Sequence, residues 1–416
     1  MMRQRPRRWV EGDAVLSSSA APKAATLAIL PLALAETLAW SAYYYSFPAF
    51  LPAWEADLGW GRAQIAGAFT ACLILTGLLA PYAGRLIDRG YARLAFLGAV
   101  IAGALLLVAL SFVQTLWQFW AVWLALGLVN AACLYEACFA IITVVTGARA
   151  KQFITVVTLV AGFAGTISFP SAFALSEALG WRDACRVFAG VMICVALPLA
   201  GLGFRWLEGH REDPADAPVA TGQEGRTALQ NPVFWYIAIG FSTIGIVHGM
   251  TISHIRPILD DREVAVGLAV LVASLFGPMQ VLGRLIMIAI GDRLSTMGLT
   301  LVLFLGIAVG LTVLFAARLE PMLVLVFVVP YGAAYGIASI VRPVITAEYL
   351  GRAGFGMIAG MLAMPYMLGF AIGPTLAALI WGVAGYDVVI VLATLLVLCG
   401  CGLILLARRA ARRGTP

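Results

Sequence analysis

The sequence predicts an all-α integral membrane protein with twelve membrane-spanning helices arranged as two six-helix bundles. Three observations predict this class. Hydrophobic residues make up 62% of the 416 residues and charged residues only 12%, whereas ordinary soluble domains carry about 25% charge. Apolar runs of about twenty residues, the length that crosses hydrocarbon as a helix, recur along the whole chain. A single long polar stretch, residues 208–231, lies near the midpoint.

The individual elements follow from the apolar runs, because a helix satisfies every backbone group within lipid. Residues 1–22 are rich in Arg and Ser and are expected to form a disordered cytoplasmic tail. An N-terminal bundle (23–207), a cytoplasmic linker (208–231), a C-terminal bundle (232–408) and a basic cytoplasmic tail (409–416) follow. The spans are predicted at residues 26–50, 63–83, 94–113, 118–146, 153–178, 187–206, 232–255, 264–290, 299–318, 321–347, 354–381 and 388–407.

The distribution of Lys and Arg predicts the orientation of these spans. Of the 27 basic residues, six lie in loops on one side and Arg342 lies within a span. The other 20 (27 − 6 − 1) fall on the side of the two termini. Basic residues are enriched in cytoplasmic loops, so both termini are predicted to be cytoplasmic. The six on the outer side are Arg62, Arg182, Arg186, Arg256, Arg262 and Arg318.

The composition also argues against several functional classes. The formal charge is +6, but the basic residues lie in short loops and tails, so no nucleic-acid partner is expected. The seven cysteines show no CxxC or metal-ligand spacing, and only Cys185 falls in a predicted loop. No HExxH, nucleophile–His set or phosphate loop occurs. We therefore expect a monomer in the lipid bilayer that acts on a small molecule, without enzymatic activity, metal or cofactor.

The loop between spans two and three carries the charged motif Gly84-x-x-x-Asp88-Arg89-x-x-x-Arg93, which recurs in shorter form as Asp292-Arg293 after span eight, 204 residues later. This repetition suggests duplicated halves. The first copy resembles the signature loop of the major facilitator superfamily, and the second resembles its degenerate counterpart. The resemblance implies the major facilitator fold, with substrate bound between the halves and a cytoplasmic gate formed by the motif. The alternative is that these residues only set the topology. The gate residues are Gly84, Asp88, Arg89 and Arg93, then Asp292 and Arg293.

A second similarity concerns the outer end of span one. Residues 45–51 read YSFPAFL and residues 57–62 read DLGWGR, which resembles the monocarboxylate and oxalate–formate porter branch of that superfamily. This branch implies a cavity lined by spans one, four, seven and ten. The glycine motif of antiporter-type span five is not reproduced at residues 162–170, which weakens an interpretation as a drug exporter. We expect a multi-pass protein of the bacterial cytoplasmic (inner) membrane.

Four ionisable residues are predicted near the middle of the bilayer: Glu36 in span one, Glu136 in span four, His248 in span seven and Arg342 in span ten. Each lies in one of the four spans that the resemblance implies line the cavity. An ionisable side chain at that depth is costly and normally faces a bundle interior or a water-filled cavity. The four residues together are therefore the strongest functional signal in the sequence.

Arg342 has polar and aromatic neighbours at helical spacing. Tyr331, Tyr335, Ser339 and Arg342 follow one another at steps of 4, 4 and 3 residues, which places them on one stripe. A guanidinium remains charged at any physiological pH. We interpret Arg342 as the anchor for an anionic substrate, with Tyr331, Tyr335 and Ser339 beside it. A buried salt bridge, or an arginine extended to the cytoplasmic interface, is the alternative.

Aromatic residues accompany Glu36 in span one. Trp40 and Tyr43 share its stripe and are candidate substrate contacts, since an indole N–H and a phenol hydroxyl can hold a polar group between apolar walls. Glu36 is a candidate proton carrier, although it could equally be a protonated acid bonded within the bundle. His248 is a further substrate-site candidate, but a lone helical histidine is more often a hydrogen-bonded packing residue.

Glu136 lies on a helix face of small side chains, which leave room for a ligand. A low-dielectric environment favours the protonated form of a carboxyl group, so Glu136 is a candidate for proton coupling. The 204-residue repeat offset maps it to position 340, two residues from Arg342. The two side chains could form a gating ion pair. Alternatively, the arginine holds the substrate while the acid takes the proton. The sequence leaves both arrangements open.

The predicted function is proton-linked movement of a small organic anion, such as a monocarboxylate, by rocking of the two halves. Arg342 would hold the charge, and Glu136 or Glu36 would carry the proton. The alternative is a proton-antiport exporter of an apolar or cationic compound, in which both acids bind the cation. A binding or sensing module without transport is a third hypothesis.

Overall fold

The computed structural model describes residues 29–209, 223–290 and 293–413, and every secondary-structure element in these ranges is helical. The predicted tail at residues 1–22 and the predicted gate residue Asp292 lie outside the described residues. We refer to residues 29–209 as the N-terminal half and to residues 223–413 as the C-terminal half.

The N-terminal half contains ten α-helices and a 3-10 helix at Gly147–Arg149, and some of the α-helices are joined by a single π-helical turn. These π-helical turns lie at Ser41–Tyr45 and Met192–Ala196, whereas at Ile87–Tyr91 the left-handed Gly90 (φ 88°) interrupts the helix. The helices are α1 (Leu30–Trp40), α2 (Ser46–Leu58), α3 (Arg62–Leu86), α4 (Ala92–Leu110), α5 (Leu116–Cys133), α6 (Tyr135–Thr146), α7 (Ala150–Ala161), α8 (Ala164–Leu179), α9 (Trp181–Val191) and α10 (Leu197–Gly209).

The C-terminal half begins with a short helix inside the predicted linker and continues with long apolar helices. Asn231 caps α12 by accepting a hydrogen bond from Val233 N, and Ser295 caps α14 in the same way. These helices are α11 (Glu224–Gln230), α12 (Pro232–Asp261), α13 (Val266–Ile290), α14 (Thr296–Ala316), α15 (Leu323–Leu350) and α16 (Phe355–Arg413).

Nine segments of the described chain are long and apolar enough to cross a membrane. Two of them, Arg62–Leu110 and Phe355–Arg413, each pass through a left-handed glycine that separates two helices. These are Gly90 (φ 88°) and Gly385 (φ 77°), a backbone conformation that glycine adopts without steric cost. Large apolar side chains such as Leu94 (71% exposed) and Phe173 (70% exposed) cover the outside. Extensive exposed apolar surface of this kind is typical of contact with lipid.

Glycines bring the two halves into backbone contact along α3 and the first part of α16. A Cβ atom on Gly84 would lie 1.9 Å from Gly356 O, and one on Gly360 would lie 2.4 Å from Ala80 O. No side chain fits at either position, so the two helices cross at their closest approach here. We call the end of the molecule that contains Gly84 and Gly356 the gate side. The halves are closed on that side.

Candidate substrate site

A cavity of about 290 Å³ lies between the two halves. This is close to the lower end of the range of roughly 300–1,000 Å³ that is typical of small-molecule sites. Its walls come from both halves, including the π-helical turn after α1 and the break between α5 and α6. Six of the residues predicted for substrate or proton binding line it: Trp40, Glu136, His248, Tyr335, Ser339 and Arg342.

Arg342 and Glu136 form an ion pair across the interface between the halves, in which Arg342 Nη2 donates to Glu136 Oε1. The side chains are only 9% and 15% exposed. The guanidinium carbon lies 4.4 Å from the centroid of the Tyr366 ring, a cation–π contact. Arg342 Nη1 is buried and has no hydrogen-bond partner among the described residues. An unpaired buried donor is costly, so the Glu136 carboxylate satisfies only part of the hydrogen-bonding capacity of Arg342.

A break in the helix positions Glu136. Leu134 adopts an extended conformation (φ −91°, ψ −172°), which ends α5 and places Glu136 in the first turn of α6. Backbone N–H groups at a helix N-terminus favour a negative charge nearby. The carboxylate therefore faces Arg342 from a helix end, whereas the sequence predicted one continuous span over residues 118–146. No Gly or Pro occurs at residues 131–137 to indicate the break.

Arg284 is a second arginine of the cavity, and the sequence interpretation missed it by counting it with the cytoplasmic basic residues. It lies in α13 and is 5% exposed. Its Nε donates to Gly336 O at 2.9 Å and its Nη1 donates to Thr158 O at 2.5 Å, so it bridges the halves. Gln280, one turn earlier, also lines the cavity. The sequence does contain a signal for this site: Gln280 and Arg284 are polar, lie four residues apart in an apolar span, and therefore share one face of the helix.

Tyr43, which the sequence predicted as a substrate contact, does not line the cavity in this structure. Its ring is fully buried, and its hydroxyl donates to Val100 O at 2.7 Å. A π-helical turn holds one residue more than an α-helical turn, because its hydrogen bonds run from i to i+5. The turn at 41–45 therefore brings Tyr44 and Tyr45 beside Trp40 on the cavity wall.

Glu36 lies behind Trp40 rather than in the cavity lining. The residue is fully buried, and its Oε1 accepts a hydrogen bond from Trp40 Nε1 at 3.1 Å. Its Oε2 has no partner among the described residues. Trp40 is thus the link between this carboxyl group and the cavity.

His248 and the tyrosines of α15 form a packed aromatic group. The rings of His248 and Tyr335 stack with their centroids 3.5 Å apart. His248 Nδ1 lies 3.2 Å from the hydroxyl of Tyr331, which is fully buried and lies behind the histidine, outside the cavity lining. Tyr335 in turn shares a 2.8 Å hydrogen bond with Tyr366. The group positions the Tyr366 ring beneath the guanidinium of Arg342.

The predicted gate residues lie apart from the cavity, on the gate side. Asp88 accepts hydrogen bonds from Gly356 N and Met357 N, each at 2.8 Å, at the N-terminus of α16. This bond joins the N-terminal half to the C-terminal half. Burial raises the pKa of Asp88 above its ordinary value, and the two backbone N–H groups act in the opposite direction.

The other motif residues have different surroundings. Arg93 pairs with Glu208 at 3.2 Å, a contact within the N-terminal half. Arg89 and Arg293 are exposed. Asp88 and Gly84 are therefore the members of the motif that contact the opposite half directly in the described part of the chain.

A family model described as the Major Facilitator Superfamily matches residues 32–362. The match covers well over half of the chain, and the chain belongs to this superfamily. It is therefore a multi-pass membrane transporter rather than an enzyme, as the resemblance of the Gly84–Arg93 motif implied. No curated protein matched the chain. No cluster of three or more His, Cys, Asp or Glu suited to a metal ion occurs among residues 29–209, 223–290 and 293–413.

Proposed function

We propose that the protein is a proton-linked secondary transporter of a small organic anion, such as a monocarboxylate, working by alternating access. The observation that carries this proposal is Arg342, a permanently charged guanidinium in the cavity lining whose Nη1 has no hydrogen-bond partner among the described residues. A carboxylate satisfies such a donor with a charge-assisted hydrogen bond. The monocarboxylate and oxalate–formate resemblance at residues 45–51 and 57–62 supports the same substrate class.

The charge of the cavity lining supports an anion. Arg284 and Arg342 contribute two positive charges, and Glu136 contributes one negative charge. The sum of +1 favours an anionic occupant, since charges in a low-dielectric site interact strongly. The alternative is a proton-antiport exporter of a cationic or apolar compound, which needs two acids at the ligand. It has less support, because Glu36 lies behind Trp40.

The ion pair suggests how the proton and the substrate are coupled. While Glu136 is ionised, it occupies one side of the Arg342 guanidinium. Transfer of a proton to Glu136 neutralises it and releases this contact, so the whole fork of Arg342 becomes available to a carboxylate. Binding of the anion and protonation of the acid then favour each other. Return of the ion pair after both have left resets the carrier.

We further propose twelve spans with both termini cytoplasmic, in a bacterial inner membrane. The nine apolar segments, two of them divided at Gly90 and Gly385, support eleven spans. The helical stretch from Leu30 to Leu58, which falls outside the nine, supplies the twelfth. The Lys and Arg distribution supports the orientation, and the gate side is then cytoplasmic.

Isothermal titration calorimetry on the purified protein and two Arg342 variants tests the proposal. Lysine keeps the charge but not the fork, so Arg342→Lys should weaken binding of an organic anion by about 5- to 150-fold. Arg342→Ala should remove binding. Arg256→Ala, at an exposed pair with Asp260, is the matched control and should bind like wild type. An anion bound equally by all four proteins contradicts the proposal, and so does stronger binding of a cation by Arg342→Ala.

A further inference from the structure

The wall of the cavity is unusually rich in aromatic rings. Eight of its 24 lining residues are Phe, Trp or Tyr, a third of the lining, whereas these types make up 11% of the chain. Leucine, isoleucine and valine, which dominate the rest of the molecule, contribute only Leu73, Leu134 and Val281. A site for a small aliphatic acid needs charge and apolar surface, but it has no need of so many rings.

The rings form two opposing groups, one on each half. Trp40 packs against Tyr135 with ring centroids 4.6 Å apart and against Tyr44 at 4.9 Å, all within the N-terminal half. Tyr335 and Tyr366 belong to the C-terminal half, where Tyr366 lies under the guanidinium of Arg342. Both groups line the same cavity as Arg342, so a flat ring bound there through its acid group has aromatic side chains of both halves in the wall around it.

Several tyrosine hydroxyls of the N-terminal group are available to a ligand. Tyr44, Tyr45 and Tyr135 line the cavity, and their hydroxyls make no hydrogen bond to any described residue. Their oxygens are also not among the fully buried unpaired atoms. These hydroxyls suit the polar edge or the substituents of a ring, and they leave the ring faces free for stacking.

We propose that the substrate is a planar aromatic monocarboxylate, with its ring held between the two aromatic groups and its carboxylate on Arg342. This inference rests on the proposed function and narrows it. Aromatic walls also suit organic cations. However, Arg284 and Arg342 outnumber Glu136 in the lining, so the site favours a ring that carries negative charge. The volume of about 290 Å³ suits a single-ring acid.

Calorimetry of the wild-type protein with benzoate and with cyclohexanecarboxylate tests the ring directly. The two ligands share their carbon count and charge and differ in flatness and π character. Benzoate should bind about tenfold more tightly, because offset or edge contacts with two aromatic groups add to the burial of apolar area. Acetate should bind more weakly than both.

Variants of Trp40 identify the source of the preference. Trp40→Leu should reduce the ratio of benzoate to cyclohexanecarboxylate affinity several-fold, because one of the rings that contact the ligand is lost while the others remain. Trp40→Phe keeps a ring but loses the bond to Glu36, and should retain most of the ratio. Trp117→Leu, at an indole that is 70% exposed on the outside, is the matched control and should behave as wild type.

The outcomes separate this inference from the proposed function. Equal binding of the two ring acids by the wild type, or tighter binding of acetate, overturns the aromatic inference and leaves an Arg342-dependent anion transporter intact. Binding of none of the three acids overturns both. Because the wild-type ratio needs no variant, a variant that fails to fold does not remove the test.

Discussion

At the scale of single residues, the Arg342–Glu136 pair carries most of the functional argument. A buried pair contributes little net stability, because desolvation of both charges offsets their attraction. Loss of one partner leaves the other charge uncompensated, which is strongly unfavourable. Such a pair suits a transport site, because it can be separated when each charge receives a new partner. A proton neutralises Glu136, and an anionic substrate takes the place of Glu136 on Arg342.

Substitution of Glu136 tests its role as proton carrier. Glu136→Gln resembles the protonated acid, so the variant should lose uphill accumulation of substrate driven by a proton gradient. It should keep the exchange of labelled for unlabelled substrate, because neither direction of exchange needs net proton movement. Transport in proteoliposomes measures both activities. A variant that still accumulates substrate against its gradient excludes Glu136 as the carrier and directs attention to Glu36.

In the π-helical turn Tyr44 lines the cavity and Tyr43 does not. Phenylalanine variants at these two positions therefore form a matched pair. Tyr43→Phe removes the hydroxyl that donates to Val100 O, so it should lower stability by about 1 kcal/mol without changing substrate affinity. Tyr44→Phe removes a cavity hydroxyl and should lower affinity with little effect on stability. Thermal unfolding and calorimetry separate the two effects. Reduced affinity in Tyr43→Phe alone would return Tyr43 to the substrate site.

At the scale of elements, long apolar helices were predictable and their interruptions were not. The predicted span 299–318 corresponds to Thr296–Ala316 and the span 321–347 to Leu323–Leu350, because apolar length and polar ends mark such helices. The break at Leu134 and the turn at Ser41–Tyr45 contain no Gly or Pro. The turn at Ser41–Tyr45 is tied to a neighbouring helix, because Ser168 Oγ donates to Ser41 O at 2.9 Å. A single sequence does not contain that information.

Several residues of the candidate site were predictable from the sequence, but their orientation toward the cavity was not. Glu36, Glu136, His248 and Arg342 were identified because ionisable residues are rare in spans. Which of them faces the cavity depends on helix rotation, and the irregular turns shift that rotation. Arg284 was misassigned because it lies six residues from the end of α13, where an arginine at the membrane interface is common.

The junction of α3 and α16 is the element that closes the gate side. Asp88→Ala leaves Gly356 N and Met357 N without an acceptor at the start of α16, which disfavours the closed state. Transport should fall several-fold while substrate affinity changes little, because Asp88 lies away from the cavity lining. Transport assays and calorimetry on the same preparation measure the two quantities. Loss of binding by a folded variant would instead place Asp88 in the site.

At the scale of the whole molecule, orientation determines which side the gate closes. In a cysteine-free background, Ser295→Cys should react with an impermeant thiol reagent only from the cytoplasm, and Gly59→Cys only from outside. The expectation follows from the Lys and Arg distribution. Intact cells and inverted vesicles present the two faces separately. The reversed labelling pattern would show that the gate side faces outward.

The central claim is that the protein transports an organic anion through a cavity in which Arg342 holds the negative charge. The most direct measurement is the initial rate of radiolabelled benzoate uptake into proteoliposomes with an acidic outside, minus the rate in protein-free liposomes, which corrects for permeation of the neutral acid. Wild type should show a net uptake that a protonophore abolishes, and Arg342→Ala should show none. Equal net uptake by the two proteins, or none by either for any organic anion, would contradict the account.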